Sequence, residues 1–234
     1  MPPPVALVTG ATRGIGRATA FALGHAGYAV GVCGRDPAML DTLLQDLGQA
    51  GISAAGRTAD VADPVDAGAL VERVVASLGS VDVLVNNAGL GIFKPFAELT
   101  LEEWDRTMAT NLRSLYVVTR EVLPAMRKRR HGAIVNIASL SARHGLAGGT
   151  AYAASKHAVL GFSRSLMLEV RKEGVRVIAI CPGSVDTGMM RDQSMMPVSD
   201  GILRSEDVAA TVVSALALPE RALVSELDLR PANP

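Results

Sequence analysis

Cysteine is almost absent from this chain. Cys33 and Cys181 sit in apolar, strand-like stretches, too few and too far apart for a disulfide framework or a metal site, so both read as buried, inert thiols. The four histidines show no ligand spacing, and no metal is expected. An excess of either charge is missing too. With 23 basic residues against 23 acidic ones, nothing electrostatic points to nucleic acid or to an anionic membrane. No apolar run approaches the roughly 20 residues that span a bilayer. The opening MPPPVALVTG carries neither a basic n-region nor a cleavage site, and the expectation is a cytoplasmic protein. Low-complexity segments, internal repeats and linker-like stretches are also lacking. Tyrosine and lysine are scarce, with three of the first and four of the second, and Tyr152 and Lys156 lie four positions apart in AYAASKHAV.

What is present is an alternation of two periodicities. Short β-branched runs at 5–9, 28–33, 53–60, 81–86, 132–138, 175–180 and 222–229 are separated by longer helical stretches. That pattern predicts an α/β fold, a doubly wound parallel sheet of seven strands covered on both faces, in a single domain spanning 1–234. Asp36-Pro37 reads as an N-cap followed by proline at the first helical position, and Asp63-Pro64 precedes the third helix. The stretch 101–130 is long enough for two consecutive helices or one bent one, 150–173 is a long helix of small residues, and Ser205 starts the last.

The first strand runs straight into TGATRGIGRATA. Glycines at 10, 14 and 16 allow a tight turn and a close approach of backbone N–H groups to a pyrophosphate, at the positive end of the helix that follows. The spacing is G-x-x-x-G-x-G in the required setting between a strand and a helix. An acid closing the second strand would select the ribose hydroxyls of NAD. Here the strand ends Cys33-Gly34-Arg35, with glycine where the acid would stand and arginine next to it. Arg13, inside the loop, can approach the same 2′-phosphate, so NADP is the expected cofactor. Asp36 is a helix cap before it is anything else.

Four motifs follow in order: TGATRGIG (9–16), NNAG (86–89), a serine ahead of Y-x-x-x-K (152–156), and PGSVDTGM (182–189). On these the chain resembles the short-chain dehydrogenase/reductases over nearly its whole length. The resemblance implies a Rossmann-type sheet, a nicotinamide cofactor and hydride transfer between an alcohol and a carbonyl. It further implies that Gly10, Thr12, Arg13, Gly14, Ile15 and Gly16 cradle the phosphates, that Arg35 lies at the ribose, and that Asp60 and Val61 touch the adenine. Asn86 to Gly89, with Asn87, Ala88 and Gly89 nearest, would border the cofactor, and Pro182, Gly183, Val185 and Thr187 would flank the nicotinamide. Asn111 matches the family asparagine that passes protons from the lysine through a water.

The chemistry of the residues agrees with this. Reducing a carbonyl requires a hydride donor, a proton donor and a group that holds the developing oxyanion. A free tyrosine has a pKa near 10, and an ammonium one helical turn away favours tyrosinate, so Lys156 should lower the pKa of Tyr152. Lys156 can also bind the nicotinamide ribose. Of the two serines in IASLSARHG, family spacing favours Ser139, thirteen positions before Tyr152, over Ser141, and its hydroxyl would donate to the substrate oxygen.

Two features depart from the commonest family pattern. The chain ends ALVSELDLRPANP, where many relatives finish in a Gly-Gly segment, which argues against the ketoacyl-carrier reductase branch. The stretch 189–203 is short and carries Met189, Met190, Met195 and Met196, groups suited either to a mobile cover or to ordinary packing. Arg143, His144 and Arg191 are candidates for a substrate carboxylate or for plain solvated charges. The expected activity is NADP(H)-dependent interconversion of a small alcohol and its ketone or aldehyde. A cofactor-binding sensor or scaffold is the alternative, and a nucleotide-sugar enzyme is disfavoured because no C-terminal substrate domain follows the sheet. The apolar faces of 101–130 and 150–173 predict a homotetramer or homodimer.

Overall fold

Val5–Val8 (β1) buries all four of its side chains, because the strand lies in the middle of a sheet with helices on both faces. The structure is a computed structural model and describes residues 2–191, 201–219 and 221–232. After β1 come α1 (Gly14–His25), β2 (Ala29–Gly34), α2 (Pro37–Gln49), β3 (Ala54–Thr58), α3 (Pro64–Leu78) and β4 (Val81–Asn86). The second half holds α4 (Leu101–Met108), α5 (Ser114–Arg129), β5 (Gly132–Ile137), α6 (Thr150–Val170) and β6 (Val175–Pro182). A short α7 (Gly188–Arg191), α8 (Ser205–Leu216) and β7 (Glu226–Leu229) complete the chain.

The seven strands pair in parallel in the order β3-β2-β1-β4-β5-β6-β7, the doubly wound sheet that the alternating pattern predicts. Pleating sends alternate side chains to opposite layers. Ala6 and Val8 pack with Leu23, Leu43, Leu47 and Val212 from α1, α2 and α8, whereas Val5 and Leu7 pack with Leu70, Val74 and Val118 from α3 and α5. Each of the buried Val and Leu side chains contributes about 1.5–3 kcal/mol relative to exposure. Cys33 and Cys181 are both buried, and burial pushes the Cys33 thiol up to about 12, which leaves it unreactive.

Local chemistry explains the element ends. Asp36 accepts the Met39 N–H at 3.1 Å with Pro37 behind it, and Asp63 accepts from both Val65 and Asp66, so both Asp-Pro pairs cap helices. β3 stops two residues before the expected end because Asp60 closes a turn, its side chain accepting the Ala62 N–H at 3.0 Å. β7 starts only at Glu226, since its partner β6 offers pairing from Ala179 to Pro182. The long stretch after Leu101 is two α-helices joined by a π-helical turn, Ala109–Arg113. Chain progression reverses between β1 and β4, and the loops leaving their C-terminal ends part there to open a crevice. Among the described residues no helix is long and apolar enough to cross a membrane, and no cluster of three or more metal-binding side chains occurs.

Candidate active site

The crevice begins at the loop after β1. Gly10 (φ 61°) and Gly14 (φ 54°) adopt left-handed backbone conformations that suit glycine. A Cβ at Gly10 would lie 2.9 Å from Ala88 Cα, so the loop touches the NNAG segment backbone to backbone. Asn87 ties the two together, donating from Nδ2 to the carbonyls of Thr9 and Gly10 at 3.0 Å. Thr9, buried at the tip of β1, accepts the N–H groups of Asn87 and Ala88 on its hydroxyl. The α1 N-terminus that follows has no side-chain cap and no acid in its first turn. Its amide donors therefore suit an external anion. Arg13 and Arg35 are exposed beside it, and neither has an ion-pair partner among the described residues.

The other end of the crevice is built by β5 and α6. Ser139 follows β5 in an extended conformation and starts a 3₁₀ turn (Leu140–Ala142), its hydroxyl accepting the Ser141 N–H at 3.1 Å. Tyr152 lies in the first turn of α6, with its ring against Phe93 at 5.1 Å between centroids. Burial raises the Tyr152 pKa above its ordinary value, and a hydrogen bond with Ser139 works in the opposite direction. Lys156 is 5% exposed and donates to the Ile137 carbonyl at 2.8 Å; burial pulls its pKa down to about 8. The Lys156 ammonium does not lower the Tyr152 pKa as the sequence predicts. It lies 5.8 Å from the ring centre, and desolvation of both groups dominates.

These two ends share one cavity of about 750 Å³. Gly10, Thr12, Arg13, Gly14, Ile15, Arg35, Asp60, Val61, Asn87, Ala88 and Gly89 line it, as do Ser139, Tyr152, Lys156, Pro182, Gly183, Val185 and Thr187. Ser141 lines it as well, so position alone does not separate the two serines; Ser139 is the one whose side chain acts on the Tyr152 pKa.

Three of the expected residues lie outside the lining of this cavity. Gly16 does not line the cavity and is closely packed: a Cβ there would lie 2.2 Å from the Gly10 carbonyl oxygen and 2.4 Å from Asn87 Nδ2. Asn86 points into the sheet, where its amide donates to Asn136 at 2.9 Å and Thr119 at 3.1 Å. Asn111, in the π turn, is 2% exposed and off the cavity. Its amide donates to the Leu90 carbonyl and the Ser155 hydroxyl, and its oxygen accepts the Leu90 N–H. Its side chain pins the segment after NNAG to α6.

Gly34 carries a steric constraint that the sequence hides. A Cβ at that position would lie 2.4 Å from Thr12 Cγ2, so the site of the NAD-selecting acid is closed by the glycine loop itself. Met189 and Met190 line the cavity, whereas Met195 and Met196 lie outside the described residues. His144 is exposed and away from the cavity, and Arg143 is engaged by carboxylates of the chain. Residues that the motifs did not reveal are Phe93, Leu140, Leu146, Arg230 and Pro231. Nothing in their spacing marks them, because loops with no periodicity bring them in.

Comparison with known proteins agrees with this geometry. The family described as short chain dehydrogenase matches residues 4–197. A Streptomyces coelicolor protein provisionally named a ketoacyl reductase is 48% identical over 187 residues, covering 79% of this chain and 72% of its own. The 3-oxoacyl-(acyl-carrier-protein) reductase FabG of Escherichia coli is 36% identical over 228 residues, covering 94% and 92%. A crystal structure of a singly substituted actinorhodin polyketide ketoreductase with NADPH superposes with a TM-score of 0.91 at 39% identity, covering 98% of this chain and 96% of that one. The sheet order, the glycine cradle and these similarities together establish that the chain belongs to the short-chain dehydrogenase family.

Proposed function

We propose that the protein is an NADP(H)-dependent oxidoreductase that interconverts a small alcohol and its ketone or aldehyde. The observation that carries this reading is the convergence of Ser139, Tyr152 and Lys156 on the cavity onto which the glycine loop, Arg13 and Arg35 open. The fit to the cofactor rests on the cradle itself, in which glycines keep side chains out and the uncapped α1 terminus offers donors. Arg13 and Arg35 would hold the 2′-phosphate, and the relative crystallised with NADPH supports that choice.

Bound NADPH would supply the hydride to the carbonyl carbon. Ser139, whose oxygen accepts from the Ser141 N–H, would donate its own proton to the substrate oxygen. Tyr152 then delivers the proton, and the burial that keeps its phenol protonated suits an acid acting in the reductive direction. Lys156, its Nζ 5.8 Å from the centre of the Tyr152 ring, would hold a positive charge beside the phenol and reach the nicotinamide ribose. Lys156 and Asn111 both come near Gly89, where an added Cβ would lie 3.8 Å from Lys156 Nζ and 3.6 Å from Asn111 Oδ1. We further propose that the chain works as one domain, in the cytoplasm and as a homo-oligomer.

The test follows NADPH absorbance on purified protein against a panel of ketones, aldehydes and β-ketoacyl thioesters, the last suggested by the relatives' names. Oxidation of NADPH dependent on a carbonyl supports the reading. Tight NADPH binding without turnover of any member would overturn it in favour of a sensor.

A further inference from the structure

Arg143, whose loop position suggests a substrate carboxylate as its partner, meets two carboxylates of the chain itself. Its Nε donates to Asp228 Oδ1 at 2.7 Å, and its Nη2 lies 2.7 Å from Glu226 Oε2. Arg164 of α6 grips the same Glu226 with two donors, at 2.6 and 3.0 Å. Arg230 approaches Asp228 more loosely at 3.8 Å, and the buried Cys181 thiol completes the surroundings. The Arg143, Glu226 and Asp228 side chains are 25, 22 and 33% exposed, so this network is partly withdrawn from water and holds its geometry better than a surface pair. Arg143 holds its proton more strongly than a free guanidinium, chiefly through Asp228 and then Glu226.

Arg143 also closes the turn that Ser139 opens. The Ala142 N–H donates to the Ser139 carbonyl and the Arg143 N–H to the Leu140 carbonyl, both at 2.9 Å, while the Ser139 hydroxyl accepts from Ser141. These five residues therefore form one hydrogen-bonded unit, with the hydroxyl at one end and the guanidinium at the other. The β7 ladder already attaches that strand to β6, so the sheet does not require the ion pairs. What they fasten is the turn.

We infer that Arg143 is a positioning residue, whose ion pairs to Glu226 and Asp228 of β7 hold the Ser139 hydroxyl in place against Tyr152. This rests on the role proposed for Ser139. It also gives a purpose to two features that the sequence leaves apart, the arginine after the serine loop and the acidic SELDL ending.

The experiment is a double-mutant cycle on the purified enzyme, with Arg143→Ala, Ser139→Ala and both together, followed by kcat and the KM for NADPH. Arg143→Ala should lower kcat about tenfold, the scale of a small displacement at the reacting centre, with the KM for NADPH unchanged. In the Ser139→Ala background the same change should cost nothing further, because the group it positions is gone. Glu226→Gln with Asp228→Asn should copy Arg143→Ala, and Arg143→Lys should restore part of kcat. If Arg143→Ala does not fold, these two variants carry the same cycle. An equal loss in both backgrounds, or an unchanged kcat, overturns the inference alone. A Ser139→Ala enzyme with full kcat overturns the role of Ser139, and the inference with it.

Discussion

Lys156 donates to the backbone carbonyl of Ile137 at 2.8 Å, so the deeply buried ammonium is held by β5 and not by the phenol one turn away. Its pKa falls from the ordinary 10.5 to about 8, through burial. Below about pH 8 the lysine is charged in folded and unfolded chains alike. Between there and the ordinary value the unfolded chain binds more protons, so this group adds stability as pH rises through that window. Function should run the other way, because the charge is lost over the same range. The kcat/KM for NADPH, which reports the free enzyme, should decline above about pH 8, and Lys156→Arg should flatten the decline. A wild-type profile level across the window would show that the charge is not used.

Tyr152→Phe should remove nearly all turnover and leave NADPH affinity close to wild type. The ring contact with Phe93 survives the change, so only the proton donor is lost. Steady-state kinetics beside a fluorescence titration of NADPH checks both halves, and a retained kcat would assign the proton to another group.

Ser139→Ala should lose about 10²–10³ in kcat, the usual effect of deleting one oxyanion donor. Ser141→Ala should lose far less, although both residues line the cavity, because Ser141 contributes its backbone N–H to Ser139 and that N–H survives the substitution. The reverse ranking would move the oxyanion role to Ser141.

Arg35→Ala should weaken NADPH roughly ten- to a hundredfold, equivalent to one charge-assisted phosphate contact of about 1.5–3 kcal/mol. NADH, which lacks the phosphate, should be barely affected. Gly34→Asp alone should weaken both cofactors, since its Cβ would press on Thr12 Cγ2 at 2.4 Å. Combining it with Thr12→Ala removes that methyl and should shift the ratio toward NADH. The measurement is kcat/KM with each cofactor, and a wild type that already prefers NADH would refute the phosphate role of Arg35.

Leu101, Tyr116 and Leu168 are 75, 49 and 59% exposed on α4, α5 and α6. Apolar area of this kind on helices flanking one sheet should be covered by another copy of the chain. Light scattering at micromolar concentration should give a dimer or tetramer mass, and a monomer mass would count against it.

The sheet was readable from sequence because strands buried on both faces carry short, mainly apolar runs rich in Val and Ile, such as VALV and VRVIAI, between longer helical stretches. The glycine loop and the Tyr152–Lys156 spacing were readable because backbone approach and helical register leave fixed intervals. The hydrogen-bond partners of Asn111 and Asn86 were hidden for a different reason. Their motifs give their neighbourhood, while the direction of each amide depends on partners at Leu90, Ser155 and Asn136 that are distant in sequence. The closure of Gly34 by Thr12 was hidden for the same reason.

Asn86 and Asn136 face each other directly across β4 and β5, and Asn136 passes the chain of contacts on to Ser163 of α6 at 2.8 Å. Sliding either strand by one residue would turn these amides to the opposite layer and leave them buried without partners, at about 1–3 kcal/mol for each stranded group. The pair thus acts as a key with a single cut. One of these strands delivers Asn87 and Gly89, and the other delivers Ser139. Two amides in the dry interior therefore decide, while the chain is still folding, that the half of the cleft holding the cofactor and the half holding the hydroxyl meet in only one alignment.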